Sequence, residues 1–275
     1  NLCTLESVAF VLKFLHIDGV YSSDSLMGTI KEWQALEASW QGAPSNSYRS
    51  KLISIKKKQT EILLRQFETS NPTWNIGTYL GIWEVLHPFT LSVPKEFGIQ
   101  TVERWTCPCY ELNQTNDTIQ NRLILINIGN YCSIGEAVNS QYSTEKRVYC
   151  EFCGQQSKFS RVISLPDVLI VEIDMGSSNS ICMPFAPDSF MFGSDNISYR
   201  PFSVLACDGN HTTAAVSLDG EIWCYYDSMK YRGRARQGFS YWRLPKTIRN
   251  HGNWLIYQKC TVGKLSIRTR YPKYY

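Results

Sequence analysis

Residues 207–227 read CDGNHTTAAVSLDGEIWCYYD, two turn signals and two strand-like runs that end on an aspartate. Cys207-Asp208-Gly209-Asn210 is a tight polar turn, and Thr212 to Leu218 is a β-branched and small-residue run. Asp219-Gly220 is a strong hairpin signal, and Glu221 to Tyr226 supplies the returning strand. Two antiparallel strands joined this way bring their outer ends together. His211 stands at the mouth of the first strand, and Asp227, sixteen residues on, closes the second. The spacing predicts that Asp227 lies near His211, able to accept its Nδ1–H and fix the tautomer. Taken alone, the pair also fits a turn histidine and a solvated aspartate capping a strand. His16, His87 and His251 lack a partner at a geometrically closed spacing.

Outward from this hairpin, the second part of the chain continues in short strand-like runs. Arg122 to Ile128, Lys158 to Leu165, Val168 to Asp174, Tyr199 to Ala206 and Trp254 to Gln258 are β-branched or aromatic and bounded by turn residues. The first part has helical periodicity instead. Leu5, Val8, Ala9, Leu12 and Leu15 recur at helical spacing, and Phe10, Val11 and Phe14 make the other face apolar too. A helix apolar all round belongs in the middle of a domain. Leu26, Ile30, Trp33, Leu36 and Trp40 mark a second helix, stopped near Gly42 and Pro44. Leu52, Ile55, Ile62 and Phe67 mark a third, and Ile76 to Leu86 a fourth that ends at Pro88. The order is α+β: one domain, mainly helical over 1–100 and strand-rich over 101–275.

Cys3 heads the most apolar of these helices. A thiol there meets unpaired backbone N–H groups and the positive end of the helix dipole, which favour the thiolate, the nucleophilic form. The same residue also fits a small core side chain. Cys107-Pro108-Cys109 and Cys150-Glu151-Phe152-Cys153-Gly154 form two close pairs. Four thiolates suffice for a closed tetrahedral zinc site with a structural role, and Cys132 between the pairs is a substitute ligand. A chain of 275 residues with 43% hydrophobic composition has no need of disulfides to supplement its core, so metal-binding cysteines favour a reducing, intracellular compartment, nuclear or cytoplasmic. Sequons at Asn113, Asn116, Asn196 and Asn210 run against that, but the last would set a glycan beside His211. A net charge of +4, with basic residues clustered only at Lys56-Lys57-Lys58 and in the tail, argues against nucleic acid as the partner. No apolar run approaches the roughly 18 residues of a membrane span.

These residues carry a family resemblance. Asn1-Leu2-Cys3-Thr4-Leu5-Glu6-Ser7 before an apolar helix resembles the cysteine box of the ubiquitin-specific protease superfamily. Asp208-Gly209-Asn210-His211 through Trp223 to Asp227 resembles its histidine box. Leu165-Pro166-Asp167-Val168-Leu169 and Trp254-Leu255-Ile256-Tyr257 are similar to two of its strands. The resemblance implies a papain-like fold, with a helical thumb, a sheet palm and zinc-bearing fingers. It also implies a Cys3–His211–Asp227 triad that cleaves a ubiquitin-like modifier from lysine. The short N-x-C-x-L-[DE] box is closer to the SUMO isopeptidase branch, so SUMO is the favoured partner. Ubiquitin is the alternative, and so is a catalytically inactive scaffold that binds the modifier. Thr4 replaces the usual aromatic and Glu6 the usual Asn, and the position of the family's oxyanion-hole Asn precedes Asn1. The first cysteine pair is C-x-C where the family has C-x-x-C.

Overall fold

The computed structural model describes residues 2–17, 81–92, 94–106, 109, 115–119, 123–127, 131–142, 144–150, 152–174, 187–193, 197–217, 221–230 and 235–260, with scattered positions within 46–65. Helix α1 (Leu2–Ile17) buries Leu5, Val8, Phe10, Val11, Leu12 and Leu15, as its all-round apolar pattern requires. Even Lys13 is buried, with its ammonium 5.7 Å from the centroid of the Phe14 ring. Every described position within 46–65 is helical, and Ile55 there is buried, in keeping with a third helix. The expected helix around Leu26 to Trp40 lies outside the described residues.

Helix α2 (Ile82–Ser92) starts with Gly81 N–H donating to the Glu84 carboxylate, the reach-back half of a capping box. Contrary to the expected stop at Pro88, it continues to Ser92. Proline in a helix interior withholds one N–H from the carbonyl four residues back. Packing on both sides of Pro88 outweighs that: Val85, Leu86 and Thr90 are buried, and Trp83 stacks on Trp254 at 6.2 Å. The Thr90 hydroxyl also donates to the His87 carbonyl at 2.8 Å. A short helix, α3 (Pro94–Phe97), follows.

Strands then dominate: β1 (Gln100–Thr106), β2 (Thr115–Ile119), β3 (Leu123–Asn127), β4 (Thr144–Tyr149), β5 (Gln156–Ser164) and β6 (Val168–Asp174). After them come β7 (Phe190–Phe192), β8 (Ile197–Asp208), β9 (His211–Ser217), β10 (Trp223–Tyr226), β11 (Arg236–Phe239) and β12 (Trp254–Lys259). Two helices interrupt the series, α4 (Ile134–Tyr142) and α5 (Lys246–His251), with a 3₁₀ turn at Tyr241–Arg243 before the latter. One sheet has four antiparallel strands in the order β2-β1-β5-β4. The other has eight, in the order β11-β10-β9-β8-β12-β6-β3, with β7 added to β8. Only β3 and β6 run parallel among the pairs described.

The period of two along each strand splits the core of the large sheet into two layers. Val168, Ile170, Phe202, Leu205, Ala214, Val216, Cys224, Tyr226, Trp254 and Ile256 face α1 and α2. Their neighbours Leu169, Val171, Val204, Ala215, Trp223, Tyr225, Leu255 and Tyr257 face α4 and α5. The result is a sheet covered on both faces, so the helical first part is packed onto the strand-rich second part. Phe10 of α1 stacks on Tyr226 of β10 with centroids 4.7 Å apart, and such pairs add about 0.5–1.5 kcal/mol beyond area burial. No described helix is long and apolar enough to cross a membrane.

Candidate active site and thiol cluster

The hairpin at residues 207–217 closes as its turn chemistry dictates. Asp208 pairs with His211 across a two-residue turn, and Gly209 there adopts φ +60°, a left-handed conformation that glycine takes at no steric cost. The β9–β10 register pairs Val216 with Cys224 and Ala214 with Tyr226. One step further along, Asp227 falls opposite Thr213, which makes His211 its diagonal neighbour on the same sheet face. The two meet: His211 Nε2 lies 2.8 Å from Asp227 Oδ1. The ring nitrogen involved differs from the sequence expectation, which assigned Nδ1 to Asp227. The diagonal approach along the strand presents Nε2, and Nδ1 is left buried and without a hydrogen-bond partner among the described residues.

Asp227 is 1% exposed at its side chain and is held from every side. Its Oδ1 also accepts from the backbone N–H groups of Met229 at 3.0 Å and Lys230 at 3.2 Å. Its Oδ2 accepts from the Tyr225 hydroxyl at 3.0 Å and lies 3.6 Å from the Lys230 ammonium. Burial alone would raise its pKa. The hydrogen bonds from His211, Tyr225 and Met229, with the charge on the imidazole, outweigh burial and hold the carboxyl below its ordinary value. Tyr225 was not among the residues singled out from the sequence. The signal was there, since a residue two before Asp227 on a strand shares its face.

Cys3 sits in the first turn of α1, partly exposed. The start of α1 is tied to the start of β9: Thr4 Oγ1 and Thr212 Oγ1 are 2.8 Å apart, and Ser7 donates to the Thr212 carbonyl at 2.9 Å. The residues following Cys3 and His211 are thus in direct contact. No hydrogen bond joins the Cys3 thiol to His211 itself.

The second group of candidate residues lies at the end of the four-stranded sheet. Trp105 pairs with Phe159 and Tyr149 with Gln156, so the turn after β1 and the turn between β4 and β5 fall at the same end. There the sulfurs of Cys109, Cys150 and Cys153 all lie within 4.8 Å of one another. Cys109 Sγ and Cys150 Sγ are 3.7 Å apart, far beyond a disulfide bond of about 2.05 Å. A tetrahedron with metal–sulfur bonds of about 2.3 Å has an edge of about 3.8 Å, so the spacing suits thiolates around one ion. The turn is built for this. Gly154 N–H donates to the Cys150 carbonyl at 2.8 Å, and Gly154 takes φ +66°. Cys107 lies outside the described residues. Cys132 is not part of the cluster; its backbone N–H binds the Glu136 carboxylate at 2.8 Å, in the turn leading into α4.

No protein-family model matches the chain, and no curated protein matches it. Solved structures do. A chain of the SAGA Ubp8/Sgf11/Sus1/Sgf73 DUB module, in a form lacking the ZnF of Sgf11, matches with a TM-score of 0.52 at 14% identity. That match covers 96% of this chain and 68% of the other. A second structure of the SAGA Ubp8/Sgf11/Sus1/Sgf73 DUB module matches with a TM-score of 0.51 at 13% identity, covering 96% and 67%. At such identities the likeness is one of fold: this chain is similar, over nearly its whole length, to a chain of a DUB module.

Proposed function

We propose that the protein is a cysteine isopeptidase of the ubiquitin-specific protease type, with Cys3 as nucleophile, His211 as acid–base and Asp227 as the group that orients His211. The observation that carries this reading is the 2.8 Å bond from His211 Nε2 to a buried, ionised Asp227, at the point where β9 meets the head of α1. With Nε2 engaged, Nδ1 is the nitrogen left to exchange a proton with a thiol. The Cys3 thiolate attacks the carbonyl of the modifier's C-terminal residue, and the C–N bond to the target lysine breaks. His211 gives its proton to the departing amine, and a thioester remains on Cys3. Water, deprotonated by His211, then releases the modifier and restores the thiolate.

Ubiquitin is the better-supported modifier. The fold likeness is to a DUB module, and nothing in it favours the SUMO branch suggested by the short cysteine box. Cys109, Cys150 and Cys153, with Cys107 as the expected fourth ligand, suit a structural zinc ion that ties the two turns of the small sheet together. In this reading the helices form the thumb, the large sheet the palm and the small sheet the fingers, within one domain of an intracellular protein.

The test is incubation with ubiquitin and SUMO carrying C-terminal electrophiles, read by mass spectrometry. Ubiquitin should label Cys3 faster than SUMO, and Cys3→Ala should abolish labelling while leaving the melting temperature nearly unchanged. SUMO labelling without ubiquitin labelling would reverse the choice of modifier and spare the mechanism. Absence of labelling by either would favour a modifier-binding scaffold.

A further inference from the structure

Asp227 orients His211 only if its own carboxylate is fixed. The torsion that turns a carboxylate plane is broad and roughly two-fold, so one hydrogen bond on one oxygen leaves the plane free to swing. Here Oδ1 takes His211 and two backbone N–H groups, while Oδ2 takes the Tyr225 hydroxyl at 3.0 Å. The other group near Oδ2 is the Lys230 ammonium, but that side chain is 63% exposed and its contact is weakened by solvent. Tyr225 is 1% exposed. Its hydroxyl is therefore the water-excluded grip on the second oxygen. It is placed there because Tyr225 and Asp227 share a sheet face and a tyrosine side chain leaning along the strand spans one two-residue repeat.

We propose that Tyr225 is a positioning residue: its buried hydroxyl fixes the plane of the Asp227 carboxylate so that Oδ1 meets His211 Nε2. The role rests on the proposed orienting function of Asp227. It is separate from the packing of the Tyr225 ring, which belongs to the core layer beneath α4 and α5.

Tyr225→Phe keeps that ring and removes only the hydroxyl. A hydrogen bond to a charged group is stronger than one between neutral groups, and part of its strength should appear in orientation, so kcat for hydrolysis of a ubiquitin C-terminal amide should fall about tenfold with KM unchanged. The decisive measurement is the double variant. If Tyr225 acts through Asp227, Tyr225→Phe should cost nothing further in an Asp227→Asn background. A purely structural tyrosine would give the same loss in both backgrounds and overturn the proposal. Imidazole ¹⁵N spectra of the free protein supply a readout that needs no turnover. The His211 Nε2–H signal should shift in Tyr225→Phe as well as in Asp227→Asn; a signal moved by Asp227→Asn alone would also overturn it. Impaired Asp227→Asn with an unaffected Tyr225→Phe sinks the role of Tyr225 and leaves the isopeptidase reading standing. Full activity in Asp227→Asn sinks the orienting role of Asp227 and this proposal with it.

Discussion

The hydroxyls of Thr4 and Thr212 lie 2.8 Å apart in the buried seam between α1 and β9, although 208 positions separate them in sequence. Both side chains are fully buried, and the contact gives the Thr212 hydroxyl a partner away from water. Through this pair the chain registers the helix that carries Cys3 against the strand that begins with His211.

Removing one hydroxyl should therefore be worse than removing both. Thr4→Val leaves a buried Thr212 hydroxyl facing a methyl group, at a cost of about 1–3 kcal/mol. Thr4→Val with Thr212→Val replaces the pair by apolar groups of the same shape and should recover part of that loss. Urea denaturation of the two single variants and the double variant measures the coupling. Strict additivity would mean that the contact contributes nothing as a pair.

Asp227 should give stability a pH dependence of defined sign. Its carboxyl is held below its ordinary value of 3.8 in the folded protein, so the unfolded chain takes up the proton first as pH falls. The contribution is complete well above about 3.9 and is lost as pH falls through the lower, folded value. Asp227→Asn lacks this term. The stability difference between wild type and Asp227→Asn should be largest near neutral pH and shrink below about pH 5. Denaturation midpoints at several pH values test it; a difference that stays constant down to pH 3 would contradict the ionised, hydrogen-bonded carboxylate.

What the sequence made legible follows the strength of local patterns. Val168–Asp174 is the strand foreseen, and Ile197–Asp208, His211–Ser217 and Trp254–Lys259 begin and end within two residues of the expected bounds. All are buried on both faces and so appear as unbroken apolar or β-branched runs. Gln100–Thr106, Thr115–Ile119 and Thr144–Tyr149 went unforeseen: QTVERWT, TNDTI and TEKRVY are mostly polar, and backbone pairing in the small sheet makes them strands. The His211–Asp227 contact was legible because a hairpin fixes register. The Thr4–Thr212 and Cys109–Cys150 contacts join distant segments, and no local rule reaches across them. The choice of Nε2 over Nδ1 depended on the diagonal geometry of the strands, which spacing alone does not set.

Pro88 marks where local preference lost to packing, and it should be replaceable with profit. The helix Ile82–Ser92 runs through it, leaving the Glu84 carbonyl without its helical donor. Interior proline costs a helix about 3 kcal/mol, while its loss makes the unfolded chain more flexible by about 0.4–1 kcal/mol. Pro88→Ala should therefore raise stability by about 2 kcal/mol, seen as a higher denaturation midpoint with unchanged slope. A loss of stability would show that the local helix is bent to suit proline.

The thiol cluster makes the strongest claim on composition. Three sulfurs within 4.8 Å come from two turns about forty residues apart, and among the described residues at that tip Cys109 and Cys153 are exposed, as is Phe152 between the paired cysteines. Partly or fully exposed thiols lying within 4.8 Å of one another are poorly explained by core packing and well explained by a shared ion. Protein purified without chelator should carry one zinc per chain by elemental analysis. Cys109→Ser, Cys150→Ser and Cys153→Ser should each lower that content and the melting temperature, because binding energy at a structural site is folding energy. Cys107→Ser should do the same if it completes the tetrahedron, whereas Cys132→Ser, whose sulfur lies outside the cluster, should leave the zinc in place. Zinc-free protein with an unchanged melting temperature after chelation would reduce the cluster to three neighbouring thiols, and loss of zinc in Cys132→Ser would move the fourth ligand to the turn before α4.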